Sequence, residues 1–293
     1  MATPETLTLA DLAAGRFHAG DFAVLGDPVA HSLSPVMHQA SLALLAPGHP
    51  GLRGRRYHRI HITAEQLPEA LAKLRLIGAG GLNLTVPHKT EALRLAQERD
   101  LSAEDCGAAN TLAPVPSGWR AFNTDGLGFA EALAERSGSG PEGRDVVILG
   151  AGGAARAIAT ACLRLGGASL RILNRSADRA EALAGQLADP RVSHGPPTDP
   201  RIPEGAVVVN CTTLGLRAED ASPIPAAALQ GAGFVYDTTY GAHRSALLRE
   251  ADSLRIAGCD GRSMLRWQGA LAFRIWTGIL PPLRAMARAL GEW

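Results

Sequence analysis

Short apolar runs alternate with stretches of helical periodicity along almost the whole chain, the arrangement of an α/β protein with parallel sheets. Phe22–Leu25 reads as a first strand ending in the turn Gly26-Asp27-Pro28, and Pro35 opens a helix to about Leu45. Arg56–Ile62 and Gly81–Val86 are further strands with a helix over Ala64–Leu76 between them. Pro87 is placed to start a helix running to about Arg99. Asn110–Pro114 and Arg120–Phe122 pair as a short hairpin, and Ser137-Gly-Ser-Gly-Pro-Glu-Gly143 is a loop. The buried strand Asp145–Leu149 then runs straight into Gly150-Ala-Gly-Gly-Ala-Ala155 and a helix to about Leu165. Strand Ser169–Leu173, helix Ala177–Leu187, strands Ala206–Cys211 and Phe234–Asp237, and helices Met264–Gly278 and Pro282–Leu290 complete the pattern. The first 20 residues read as an extension outside the fold.

At 293 residues the chain has room for two domains, and 46% hydrophobic residues supply a core. Aromatic content of 4% argues against stacking platforms for single-stranded nucleic acid. A net charge of +1, without a basic run, points to neither nucleic acid nor an anionic membrane. A small molecule is the expected ligand. Cys106, Cys162, Cys211 and Cys259 form no C-x-x-C pair, and no histidine cluster has zinc-ligand spacing, so no metal is expected. Scattered thiols fit a reducing compartment. The N-terminus lacks a basic segment followed by an apolar one, and apolar stretches fall short of the ~20 residues of a membrane span. The expectation is a cytoplasmic protein.

Strand, G-x-G-x-x-A, helix and strand in succession form the dinucleotide-binding fingerprint in its required context. Gly150 allows the tight turn, Gly152 lets the backbone approach a diphosphate, and Ala155 is small enough for helix-on-sheet packing. The diphosphate would meet the amides of the helix N-terminus. Cofactor choice is set at the end of the next strand, where NAD sites carry a carboxylate for the ribose 2′-hydroxyl. Here the strand ends in Asn174-Arg175-Ser176, with Arg179 one turn on. Guanidiniums can fork onto a 2′-phosphate, so NADP is expected.

All but two of the 29 basic residues are arginine, and the exceptions are Lys73 and Lys89. Lys73 reads as a solvated helix residue. Lys89, in contrast, ends the cluster Gly81-Leu-Asn83-Leu-Thr85-Val-Pro-His88-Lys89 and can exchange a proton where arginine cannot. Two other clusters stand out. Ser32 and Ser34, at a helix entry, suit a carboxylate, although such hydroxyls on their own more often form a helix cap. Gly107-Ala-Ala-Asn110-Thr111 precedes Asn123-Thr124-Asp125-Gly126, and ends of parallel strands are where open α/β sheets bind ligands.

The series H-S-L-S-P, N-L-T-V-P-x-K, G-A-A-N-T, N-T-D-G, G-A-G-G-A, N-R-S-x-x-R and W-Q-G-A resembles the shikimate dehydrogenases in content and order, from about Phe22 to Thr277. The resemblance implies an α/β substrate domain over residues 1–124 and 261–293 (1–20 being the extension). An inserted Rossmann NADP-binding domain over 125–260 would leave a cleft between the two. It implies reversible hydride transfer between NADPH and the C3 carbonyl of 3-dehydroshikimate by a monomer or homodimer. Carried over residue by residue, Ser32 and Ser34 would hold the substrate carboxylate. Thr85, Asn110 and Gln268 would hydrogen-bond ring hydroxyls, and Tyr240 would line the site. Lys89 and Asp125 would stand at the reacting centre. NADP would be held by Gly150, Ala151, Gly152, Gly153, Ala154, Asn174, Arg175, Ser176 and Arg179, with Thr238 and Gly261.

Two segments depart from the family pattern. D-x-x-Y-N-P is here Asp237-Thr-Thr-Tyr240-Gly-Ala, and G-x-G-M-L is Gly261-Arg-Ser-Met-Leu265. His31 and His88 lie inside the motifs without a chemical role and read as structural or rim residues. The rival readings are a quinate/shikimate dehydrogenase, a non-catalytic NADP-binding sensor and a folate-linked dehydrogenase. The Lys89 and Asp125 pair speaks against the sensor, and no motif supports the folate enzyme.

Overall fold

Apolar runs such as Phe22–Leu25 and Val146–Leu149 have no polar face, so such strands need cover on both sides. In a computed structural model describing residues 5–292, they are strands of two separate sheets. The chain divides into two units, one comprising the residues up to Thr124 and from Gln268 on, the other Asp125–Trp267.

The first unit contains β1 (Thr6–Thr8), α1 (Leu9–Ala13), β2 (Phe22–Gly26), α2 (Ser34–Leu45), β3 (Tyr57–His61), α3 (Leu67–Ile77), β4 (Gly81–Leu84), α4 (Lys89–Leu95), β5 (Glu98–Arg99), α5 (Leu101–Cys106), β6 (Thr111–Val115) and β7 (Gly118–Phe122). Its sheet runs β1-β3-β2-β4-β6-β7-β5. β2 pairs in parallel with β3 and β4, while β6 is antiparallel to β4 and β7. Ala23, Leu25, Ile60, Leu82 and Leu112 make the centre of its core.

Two expectations fail here. The first 20 residues were expected to lie outside the fold; residues 1–4 fall outside the described residues, and residues 5–20 are not such an extension. Thr6–Thr8 pairs in register with Arg59–His61, and Leu7, Leu12 and Phe17 are in the core. The helix expected from Pro87 to Arg99 is short, because Ala96 is extended and Glu98–Arg99 pairs with Arg120–Ala121.

The second unit contains α6 (Asp125–Ser137), β8 (Asp145–Leu149), α7 (Gly153–Arg164), β9 (Ser169–Leu173), α8 (Ala177–Leu187), β10 (Val192–Gly195), β11 (Val207–Asn210), β12 (Phe234–Asp237), α9 (Ala246–Ser253) and β13 (Gly258–Cys259). Its six strands are all parallel and run β10-β9-β8-β11-β12-β13. That is the doubly wound dinucleotide-binding order, with the switch point between β8 and β11. α6 packs so close to α7 that a Cβ at Gly126 would stand 2.4 Å from the Ala157 carbonyl oxygen.

Helix α10 (Arg262–Thr277) starts in the second unit and ends in the first, which α11 (Leu283–Leu290) completes. The change of unit falls after Trp267 rather than after residue 260 because the first turns of α10 are tied to the second unit. Ser263 Oγ lies 2.6 Å from Tyr236 Oη, and Arg266 and Trp267 both reach Glu135 on α6. Beyond Gln268 the helix serves the first unit, where Trp276 stacks on Phe22 and donates to the Leu112 carbonyl. No helix among the described residues is long and apolar enough to cross a membrane.

Candidate active site

Within the first unit, Ser32 and Ser34 lie on the segment that follows β2, and Thr85 directly follows β4. Helix α2 has Leu33 as its N-cap, with no side-chain capping bond. Ser32 Oγ instead accepts the Ser34 N–H at 3.3 Å, and the Ser32 carbonyl is held by Arg59 Nε at 2.9 Å. Arg59 is 5% exposed, and burial lowers its pKa.

Beside Ser34 a chain of buried polar groups begins. Tyr57 Oη donates to Asn83 Oδ1 at 2.7 Å, and Asn83 Nδ2 donates to the Asn110 carbonyl and to Thr111 Oγ1. The Asn110 side chain accepts the Thr124 N–H at 2.8 Å. Its amide donates to Thr124 Oγ1 at 3.0 Å and to Gln268 Oε1 at 3.4 Å. Asn110 and Gln268, 158 residues apart in sequence, are thus brought together. Beneath Tyr57, the ring of His38 is stacked at 4.2 Å between centroids. His38 is fully buried, neither ring nitrogen has a hydrogen-bond partner among the described residues, and burial pushes its pKa down to about 3.

Thr85 follows β4, and its N–H donates to the Leu25 carbonyl at 2.9 Å. His88 Nε2–H donates to the Ile62 carbonyl at 2.7 Å, and burial lowers the pKa of that ring. His88 is therefore structural, anchoring the residue before Lys89 to the end of β3. Lys89 is half-buried at the first position of α4, with its carbonyl accepting the Ala109 N–H at 2.8 Å. Asp125 is buried at the first position of α6, immediately after Thr124. His31 is exposed, and Lys73 pairs with Glu69 one helical turn away.

In the second unit Gly150 lies at φ +112°, which a side chain would strain. Gly152 caps α7 with no side-chain bond, leaving the amides at the helix start to a ligand or to solvent. A Cβ on Gly152 or Gly153 would meet nothing within 4 Å, so packing within the chain does not demand glycine there. A backbone that must approach a diphosphate does. Ala151 and Ala154 are half-buried on the same turn. Asn174 Nδ2 donates to the Ser176 carbonyl, while Arg175 and Arg179 are exposed and have no acidic partner among the described residues. The donor set at this strand end is cationic, and these residues fit an NADP adenosine phosphate.

Asp237, wholly buried at the end of β12, orders the neighbouring loops. It accepts from Asn210 Nδ2, from Thr239 N and Oγ1, and from Ser245 Oγ. The segment carrying Thr238 and Tyr240 departs from this point, and the Gly261 N–H donates to the Thr239 carbonyl at 3.0 Å. A Cβ on Gly261 would lie 2.1 Å from the Thr238 carbonyl oxygen. Tyr57, Arg59, Asn83 and Asp237 were not singled out as site residues from the sequence. Asn83 and Asp237 lie inside quoted motifs, whereas Tyr57 and Arg59 sit in the polar-rich strand Tyr57–His61, where nothing in the sequence marks them.

Three family models match the chain. One described as the shikimate dehydrogenase substrate binding domain covers residues 24–112. Shikimate / quinate 5-dehydrogenase covers 132–214, and the shikimate 5'-dehydrogenase C-terminal domain covers 261–290. A Thermus thermophilus relative named shikimate dehydrogenase (NADP(+)) is 41% identical over 268 residues, 92% of this chain and 96% of the relative. Another of that name, from Methanocella arvoryzae, is 38% identical over 271 residues, 92% of this chain and 97% of its own. Among solved structures, a shikimate 5-dehydrogenase from Thermus thermophilus in complex with NADP(H) and shikimate superposes with a TM-score of 0.82. It shares 37% identity, with 93% of this chain and 98% of that one covered.

Proposed function

The chain belongs to the shikimate dehydrogenase family, and from that premise we propose how its residues carry out the reversible NADPH-dependent reduction of 3-dehydroshikimate to shikimate. The observation that carries this assignment is the contact of Asn110 with Thr124 and Gln268, a preformed set of uncharged donors and acceptors of the kind a polyhydroxylated ring requires.

Ser32 and Ser34 take the substrate carboxylate, close to the N-terminus of α2 and to the buried Arg59 guanidinium. Thr85, Asn110 and Gln268 take ring hydroxyls, and Tyr240 contacts the substrate. NADP is held by Gly150, Ala151, Gly152, Gly153 and Ala154 around its diphosphate. Asn174, Arg175, Ser176 and Arg179 take its adenosine phosphate, with Thr238 and Gly261 further along. NADPH, when held there, would supply a hydride for the C3 carbonyl carbon. The C3 oxygen then takes a proton from the Lys89 ammonium, and in the reverse direction the Lys89 amine takes it back, a contribution of roughly 10²–10⁴ in rate. Asp125 is assigned as the carboxylate partner of this step. The reaction is placed in the cytoplasm.

A 340 nm assay with shikimate and quinate, each against NADP+ and NAD+, tests the assignment. The expected result is shikimate-dependent reduction of NADP+, with NAD+ used far less well. No turnover of shikimate with either cofactor would refute it. Preference for quinate would move the chain to the rival dehydrogenase reading.

A further inference from the structure

Tyr240 is followed by Gly241-Ala242, and the backbone offers no reason for that glycine. Gly241 does not lie at positive φ, and a Cβ there would meet only His243, at 3.6 and 3.7 Å. A side chain fits, so packing within the chain does not demand glycine there, and the glycine adds conformational freedom beside Tyr240.

Residues at the start of α10 hold the segment instead. On one side of Tyr240 the Gly261 N–H holds the Thr239 carbonyl at 3.0 Å. On the other, Arg262 Nη2 donates to the Gly241 carbonyl. The guanidinium is aimed by Asp260, which accepts from Arg262 Nη1 and from the Arg262 N–H at 3.1 Å. Its side chain is 25% exposed, so this charge-assisted bond is partly shielded from water. The guanidinium also stands near enough to the Tyr240 phenol to oppose the rise in pKa that burial causes. Position 262 is unrestricted in the usual G-x-G-M-L segment, so the sequence alone did not mark Arg262.

We infer that Arg262 is a positioning residue for Tyr240: its guanidinium latches the Gly241 carbonyl and supplies the order that Gly241-Ala242 withholds from the backbone. The inference rests on the assignment of Tyr240 to the substrate. It explains how this chain keeps a tyrosine in place without the Asn-Pro that usually follows it.

The test uses the full chain. Arg262→Met keeps the aliphatic stem and removes the donors. KM for shikimate should rise about tenfold with kcat within about twofold, the pattern for lost uniform binding. NADP+ affinity by calorimetry should not change. Adding Gly241→Asn and Ala242→Pro should then return KM to within about threefold of native, because proline fixes φ. It loses no bond, since the Ala242 N–H donates none among the described residues. A helix-start or folding role for Arg262 would not be rescued by stiffening a loop. A native KM in Arg262→Met, or a raised KM that the loop replacement leaves raised, overturns the inference. If Arg262→Met does not fold, a triple variant that folds and turns over supports the latch, and one that fails equally contradicts it. Tyr240→Ala separates the two levels. A native KM in that variant removes the assignment of Tyr240 itself, whereas a raised KM there beside a native one in Arg262→Met removes only the latch.

Discussion

In the unit built around Asn110, two side chains assigned to the substrate, Asn110 and Gln268, are already bonded to each other and joined to a buried network that runs through Asn83 to Tyr57. In the unit built around Gly150, the groups assigned to the cofactor are backbone amides and two exposed guanidiniums without acidic partners among the described residues. The difference follows from what each unit must recognise. A neutral ring with several hydroxyls is distinguished only by donors and acceptors fixed in advance, and fixing them requires a buried network. Phosphates are recognised by charge and by helix-start amides, which need only the right backbone turn. Changes in the first unit should therefore couple function to stability. Changes in the second should separate them.

The largest expected effect is Lys89→Ala, which should lower kcat by roughly 10²–10⁴. NADPH affinity should remain nearly intact. A comparable loss of NADPH binding, measured by fluorescence titration, would break the separation between the units.

Next comes the pH dependence set by His38. Its folded pKa of about 3 lies well below the usual histidine value, so the unfolded chain takes up a proton that the folded one refuses. Stability is full above pH ~6.5 and declines by about 1.4 kcal/mol per pH unit as pH falls from there toward the folded value. Thermal unfolding between pH 7 and 5 should show a smaller decline in His38→Phe, which keeps an aromatic ring against Tyr57. Parallel curves for the two proteins would contradict this account.

Smaller still is Arg175→Asp. It should remove about 1–3 kcal/mol of charge-assisted bonding to the 2′-phosphate, narrowing or reversing the NADP preference. Because Arg175 is exposed and has no acidic partner among the described residues, Tm should hardly move. The smallest effect on stability is expected for Gly152→Ala, within about 0.5 kcal/mol, since a poorer cap and a less free unfolded chain offset each other. Its NADP+ affinity should nonetheless fall about tenfold or more as the new methyl group meets the diphosphate. A large drop in Tm with unchanged affinity would reverse the reading of that loop.

The strands buried on both faces were legible as continuous apolar runs, as was the Gly150 turn. Helix α6 was not, because Asn123-Thr124-Asp125-Gly126 reads as a turn. Only the close approach of α7 accounts for glycine at 126 inside a helix. Thr6–Thr8 is too short to announce itself, and it becomes a strand through pairing with β3. Within the site, the residues assigned to ligands are named from their motifs. Those that hold other side chains can carry no local signal, as with Tyr57, whose partner Asn83 is 26 residues away.

The claim on which the account turns is that Lys89 transfers a proton rather than merely contributing charge. The direct measurement is kcat for Lys89→Arg, made with saturating NADP+ and shikimate after its NADP+ affinity has been shown to be native. Arginine keeps the positive charge but does not give up a proton at usable pH. The account predicts that Lys89→Arg recovers little of the rate lost in Lys89→Ala. Turnover by Lys89→Arg near the native rate would contradict it.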